Sequence, residues 1–149
     1  MMAYEYAVKV AALAGAGNYV DMAAVTQDAY VREIHVFATT AVAGNISLYR
    51  TTANGTRTTP VAPTAQTGSD LGTDANPPLA TFATAWSVAP TLAAQRMRVF
   101  QNGAAIGSGV IWTWYSGPGL RVKAGQTIIL NNDTAAASAA LAVTFVWEE

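Results

Sequence analysis

From Gly109 to Glu149 the chain alternates apolar and polar residues in short runs separated by turn residues, and this rhythm fixes the fold class. The segment reads G-V-I-W-T-W-Y, then the turn S-G-P-G, then L-R-V-K-A-G-Q-T-I-I-L-N-N-D-T, an alanine-rich connection, and L-A-V-T-F-V-W-E-E. A period of two puts successive side chains on opposite faces of a strand, whereas a surface helix needs a period near 3.6. Leu141, Val143, Phe145 and Trp147 therefore share one face of a closing strand. Val110, Trp112 and Trp114 share one face of an earlier strand, opposite Ile111, Thr113 and Tyr115.

The same period runs through the upstream sequence. Tyr4, Tyr6, Val8 and Val10 alternate with Glu5, Ala7 and Lys9, so residues 1–17 read as a first strand or an N-terminal arm. A second strand is expected over Tyr19–Val25. A third spans Tyr30–Thr39, with Ile34, Val36 and Ala38 opposite Glu33, His35 and Phe37. Ala43-Gly44-Asn45 turns the chain into Ile46–Thr52, and the two runs read as an antiparallel hairpin. From Asn54-Gly55 to Pro78 the chain is rich in Thr, Pro, Ala, Gly and Asp and reads as a long loop. A short strand around Arg57–Val61 would be confined to an edge by Pro60. Further strands are expected over Leu79–Ser87, with Phe82, Thr84 and Trp86 on one face, and over Gln95–Gln101, with Met97 and Val99 opposed to Arg96, Arg98 and Phe100. Leu120–Lys123, Gln126–Asn131 and Ala139–Trp147 complete the set. Helical alternatives over 21–28 and 92–97 are weaker than the strand reading. The expectation is a single all-β domain over residues 1–149, an antiparallel, jelly-roll-like β-sandwich of about eight or nine strands.

A chain of 149 residues buries roughly 68–70% of its unfolded surface and needs no covalent or metal staple. Its charge content is the anomaly: 11% of residues are charged, against about 25% in typical globular chains. With a formal net charge of −1, such a surface is weakly protected from self-association. Part of it is expected to be covered by other copies or by a larger assembly. Eight basic against nine acidic residues leave no basic excess, so nucleic acid is not an expected partner. The absence of cysteine excludes disulfides, thiolate catalysis and Cys-ligated zinc. The N-terminus lacks the basic and apolar regions of a secretory signal, and no apolar run approaches the ~20 residues that span a bilayer.

Candidate chemistry is sparse. His35, the single histidine, lies mid-strand beside Glu33, and no G-x-S-x-G elbow accompanies it. Asp70, Asp74 and Asn76 offer oxygen ligands in the long loop but lack the spacing of a calcium frame. Asn131-Asn132-Asp133 reads as a turn. Glu5, Asp21, Asp28 and Glu33 show no spacing that pairs carboxylates across a cleft. Gly15-Ala16-Gly17 precedes a strand rather than a helix, so it is no phosphate cradle. No catalytic residue, cofactor or metal is expected, and the chain does not read as an enzyme. Trp112, Trp114 and Tyr115 suit either a sugar-stacking platform or packing. The packing reading is preferred for them and for Trp147, Tyr4 and Tyr6, as core or subunit-interface residues.

The pattern G-V-I-W-T-W…G-L-R-V-K-A-G-Q-T-I-I-L-N-N…L-A-V-T-F-V-W-E-E, with V-R-E-I-H-V-F-A-T-T, I-S-L-Y-R-T-T and L-A-T-F-A-T-A-W-S upstream, resembles small β-sandwich virion proteins of tailed bacteriophages. The resemblance runs from about Tyr30 onward and rests on structural motifs. It implies a capsid decoration (cement) protein on the outer capsid surface, made in the host cytoplasm. Such a protein is a homo-oligomer, often a trimer, and its partner is the major capsid protein. A carbohydrate- or receptor-binding module of a phage tail or fibre is the alternative.

Overall fold

The structure is a computed structural model that describes residues 3–63 and 77–149. Twelve strands are present among the described residues, and no helix: β1 (Ala3–Val10), β2 (Gly17–Ala23), β3 (Ala29–Ala38), β4 (Gly44–Ala53), β5 (Thr56–Arg57), β6 (Thr81–Ala83), β7 (Trp86–Val88), β8 (Thr91–Asn102), β9 (Gly109–Thr113), β10 (Leu120–Val122), β11 (Thr127–Asn132) and β12 (Leu141–Glu148). Two five-stranded antiparallel sheets carry ten of them. In the first, the order is β1-β12-β3-β10, with β9 also on β3; in the second it is β6-β2-β11-β4-β8. The ribbon β5-β7 stands apart.

The pairings are nested. β1 pairs with β12, β2 with β11, β3 with β10 and β9, and β4 with β8, all antiparallel. The chain is thus one long hairpin of strand pairs wrapped into two sheets, which is the jelly roll. The pairs β12–β3 and β11–β4 close each sheet across the wrap. β9 and β10 lie end to end along one side of β3, facing 33–37 and 29–31. Counted as one broken strand and set apart from β5, β6 and β7, they leave eight strands, so the excess over eight or nine comes from the 54–90 insertion and this break.

Three sequence expectations are corrected. β3 and β4 do not form a hairpin: β3 pairs in the first sheet and β4 in the second, and the chain crosses the sandwich between Ala38 and Gly44. An inward apolar face looks the same in sequence whether its partner lies beside it or across the core. The run Leu79–Ser87 is two strands, because β6 joins β2 while β7 joins β5. On β8 it is Phe100 that packs against the core, and Val99 is 55% exposed. Register shifts at Leu48/Tyr49, Tyr49/Thr51 and Thr51/Ala53 in the β4–β8 pair change which residues share a face. Of the weaker helical alternatives, residues 92–97 lie in β8, and 21–23 lie in β2.

The core lies between the sheets. Ile34, Val36, Leu141, Val143, Phe145 and Trp147 from the first sheet meet Val20, Met22, Ile46, Leu48, Phe82, Ile128 and Leu130 from the second. Phe82 sits at the aromatic centre, with ring centroids 4.4 Å from Tyr6, 5.2 Å from Phe145 and 5.3 Å from Trp147. These contacts tie β6, at the edge of the second sheet, to β1 and β12 of the first. The first strand is therefore tied into the sandwich rather than free as an arm. The alanine-rich connection is also held. Asn132 Nδ2 donates to the Gly15 and Thr134 carbonyls (2.9 and 3.1 Å), and the Ser138 amide donates to the Leu13 carbonyl (2.9 Å).

Candidate functional site

The aromatic candidates separate by exposure. Trp147 is wholly buried, and Trp112 and Tyr4 are buried. Tyr4 stacks on Trp147 at 5.6 Å, and Trp147 Nε1 donates to Glu149 Oε1 at 2.9 Å, which satisfies the indole N–H. Tyr6 and Trp114 are half-buried against the core. Trp114 follows the end of β9, and the Arg98 guanidinium lies over its ring at 5.3 Å, within cation–π range. Tyr115 is 84% exposed. Trp112 faces the core, so Trp112, Trp114 and Tyr115 do not form one platform.

His35 lies on the outer face of β3, where Nε2 meets Glu33 Oε2 at 2.7 Å. Among the described residues neither group bonds a serine, and His35 stands across from Thr144 of β12 and Ile111 of β9. Around it runs a continuous outward face. Its rows are Lys9–Ala142–Phe37–Gly109, Ala7–Thr144–His35–Ile111 and Glu5–Val146–Glu33–Thr113. Phe37 and Ile111 are exposed on this face, and Ala7, Lys9, Ala142 and Thr144 border a shallow open depression on it. Apolar and small side chains dominate, and the charges sit at its corners and centre.

The second sheet is different. Its inner face carries Val20, Leu130 and Leu48, and its outer face carries Asp21, Ile129 and Tyr49, all of them buried. Asp21 is the centre of a polar knot that sequence reading did not single out. Arg57 donates to it from Nε (3.0 Å) and Nη2 (2.5 Å), the Ala83 amide at 2.9 Å and Trp86 Nε1 at 3.1 Å. Arg57 also donates to Thr81 Oγ1 (2.5 Å) and the Thr81 carbonyl (2.8 Å). Burial pushes the Asp21 carboxyl above its ordinary value, and the donors from Arg57, Trp86 and Ala83 pull against that shift. The knot fastens β5, β6 and β7 onto β2, so its role is to hold the insertion in place.

Asp133, just beyond β11, is the second such point. It accepts from Ser47 Oγ, from Tyr49 Oη at 2.8 Å and from Arg96 Nε at 2.6 Å. Burial works against ionisation, but the bonds from Ser47, Tyr49 and Arg96 hold its carboxyl below the ordinary value. Asn131 and Asn132, expected in a turn, lie in β11 instead, between β2 and β4. Among the described residues no group of three or more His, Cys, Asp or Glu side chains is placed to hold a metal ion. The candidate ligands Asp70, Asp74 and Asn76 lie outside the described residues.

The two sheets and their nested pairing define a jelly-roll β-sandwich with an insertion between its fourth and fifth principal strands. Comparison of the chain with protein-family models, with curated proteins and with solved structures finds no match.

Proposed function

We propose that this chain is a structural component of a tailed-phage particle, a capsid decoration protein that reinforces the shell by bridging subunits of the major capsid protein from its outer surface. The observation that carries the reading is the outward face of β1, β12, β3 and β9. Ala7, Ala142, Thr144, Val146, Phe37 and Ile111 surround the His35–Glu33 pair there, with Glu5 and Lys9 at the rim, a largely apolar surface of the kind that works by being covered. A contact of standard size hides about 1,600 Å² in total. Repeated around a shell, modest contacts add up through multivalency without one strong site. The low charge of the whole chain and the resemblance to small phage virion proteins support the same assignment. The test is a particle assembled without this protein: it should release its genome at lower temperature than the complete particle, and equal heat resistance would defeat the reading.

A carbohydrate- or receptor-binding module of a tail or fibre is the second reading, favoured by the 84% exposure of Tyr115. Trp114 next to it supplies a partial second ring. A glycan array bound by the wild type and not by Tyr115→Ala supports this reading, and an array without binding removes it.

A further inference from the structure

We propose that the free edge of β1 pairs with the same edge of a second copy, antiparallel and two-fold symmetric about Ala7. β1 ends its sheet: β12 lies on one side, and among the described residues no strand pairs on the other. A sheet edge of this length with no strand on it is a template for pairing with another strand. Its sequence, A-Y-E-Y-A-V-K-V, is self-complementary about Ala7. In the two-fold register Ala7 faces Ala7 of the second copy, Tyr6 faces Val8, Tyr4 faces Val10 and Glu5 faces Lys9. Every pair then joins like faces, apolar with apolar and acid with base.

Two observations point to a second copy as the occupant. Glu5 and Lys9 are exposed. Among the described residues every other carboxylate has a hydrogen-bond or ion-pair partner (Asp21, Asp28, Glu33, Asp133, Glu148 and Glu149), and Glu5 has none. Glu5 and Lys9 are about 13 Å apart along the strand, too far to pair with each other within one copy. Secondly, Tyr6 and Val8 point inward yet stay half-buried, while Phe145 and Val143 beside them on β12 are buried. A second strand at the edge would cover both.

Competing registers lack this match. Sliding the copies one step along the same faces, so that Tyr6 or Val8 lies on the axis, leaves Glu5 and Lys9 without opposite charges. One step further sets Glu5 against Glu5 or Lys9 against Lys9. The charges therefore specify one register, as like charges placed directly opposite are destabilising. Because the edge is two-fold, it gives dimers, or dimers of larger assemblies, and not the closed trimer that the phage resemblance implies. The pairing is a property of the isolated chain and stands whether or not the chain coats a capsid.

The test is charge exchange on the full-length protein, read by sedimentation velocity or light scattering over a range of concentrations. The wild type should have twice the monomer mass. Lys9→Glu, and separately Glu5→Lys, should raise the dissociation constant by at least about tenfold, since each creates two like-charge pairs. The double exchange Glu5→Lys with Lys9→Glu should restore the dimer. Circular dichroism on each variant verifies that these exposed residues leave the fold intact. A wild-type monomer at every concentration, a trimer, a dimer indifferent to the single reversals, or a double variant that fails to recover would each overturn the proposal.

Discussion

Replacing Asp21 with alanine removes the acceptor at the centre of the knot that fastens the 54–90 insertion to β2. The carboxylate is fully buried and takes four hydrogen bonds from three residues. The Arg57 side chain is only 13% exposed, so alanine strands a cation with little access to water. Removing one member of a buried pair costs about 3–5 kcal/mol. Arg57 keeps its two bonds to Thr81, which lowers the cost, while the Ala83 amide and the Trp86 indole lose their acceptor, which raises it. The expected loss is about 4 kcal/mol, a large fraction of the ~5–15 kcal/mol that holds a domain together. At about 2–4 °C per kcal/mol for a chain of this size, the melting temperature falls by about 8–16 °C. Urea denaturation followed by circular dichroism measures the difference from the midpoint and slope. Asp21→Asn keeps the shape and one acceptor oxygen, so it should lose less. Paired with Arg57→Met in a double-mutant cycle, Asp21→Ala should show strong positive coupling. A loss below about 1 kcal/mol, the level of an exposed pair, would refute the account of the knot.

Further outcomes follow from the same geometry. Trp147→Ala should cost about 3–5 kcal/mol, whereas Tyr115→Ala should stay within about 0.5 kcal/mol; thermal melts of the two variants separate a core ring from an exposed one. Gly119 has φ +99°, and a Cβ there would stand 2.5 Å from the Val31 carbonyl oxygen, so Gly119→Ala should destabilise by about 1–3 kcal/mol. Gly103, with open space and no positive φ, should accept alanine with no measurable loss. Asp133 has a lowered folded-state pKa, so its contribution is present above the unfolded value of about 3.9 and is lost as pH falls through the folded value. Asp133→Asn should lower the urea midpoint at neutral pH and flatten the acid limb of the stability profile; an unchanged acid limb contradicts this.

The inward stripes were readable because strands with one buried face keep strict alternation. Tyr4, Tyr6, Val8 and Val10, then Ile34 and Val36, then Leu141 through Trp147 all point where the period puts them. Which sheet a strand joins is not written in that alternation, and β3 and β4 were misjoined for that reason. The β6–β7 split was hidden because Phe82, Thr84 and Trp86 keep period two across it. Its cause is Asp21, which takes the Ala83 amide and the Trp86 indole from 62 and 65 residues away along the chain. The buried outer face of the second sheet was equally unreadable, since Asp21 meets Arg57 only after the insertion folds back over β2. Glu5 and Lys9 read as ordinary outward residues of a first strand, and only the position of β1 at the sheet edge makes their symmetry meaningful.

The most direct test of a decoration role is imaging of the purified, intact phage particle at a resolution that separates strands. The account predicts a jelly-roll sandwich on the outer capsid surface, with the Ala7–Thr144–Ile111 face turned toward the major capsid protein. Finding the protein only on the tail, or missing from the particle altogether, would contradict it.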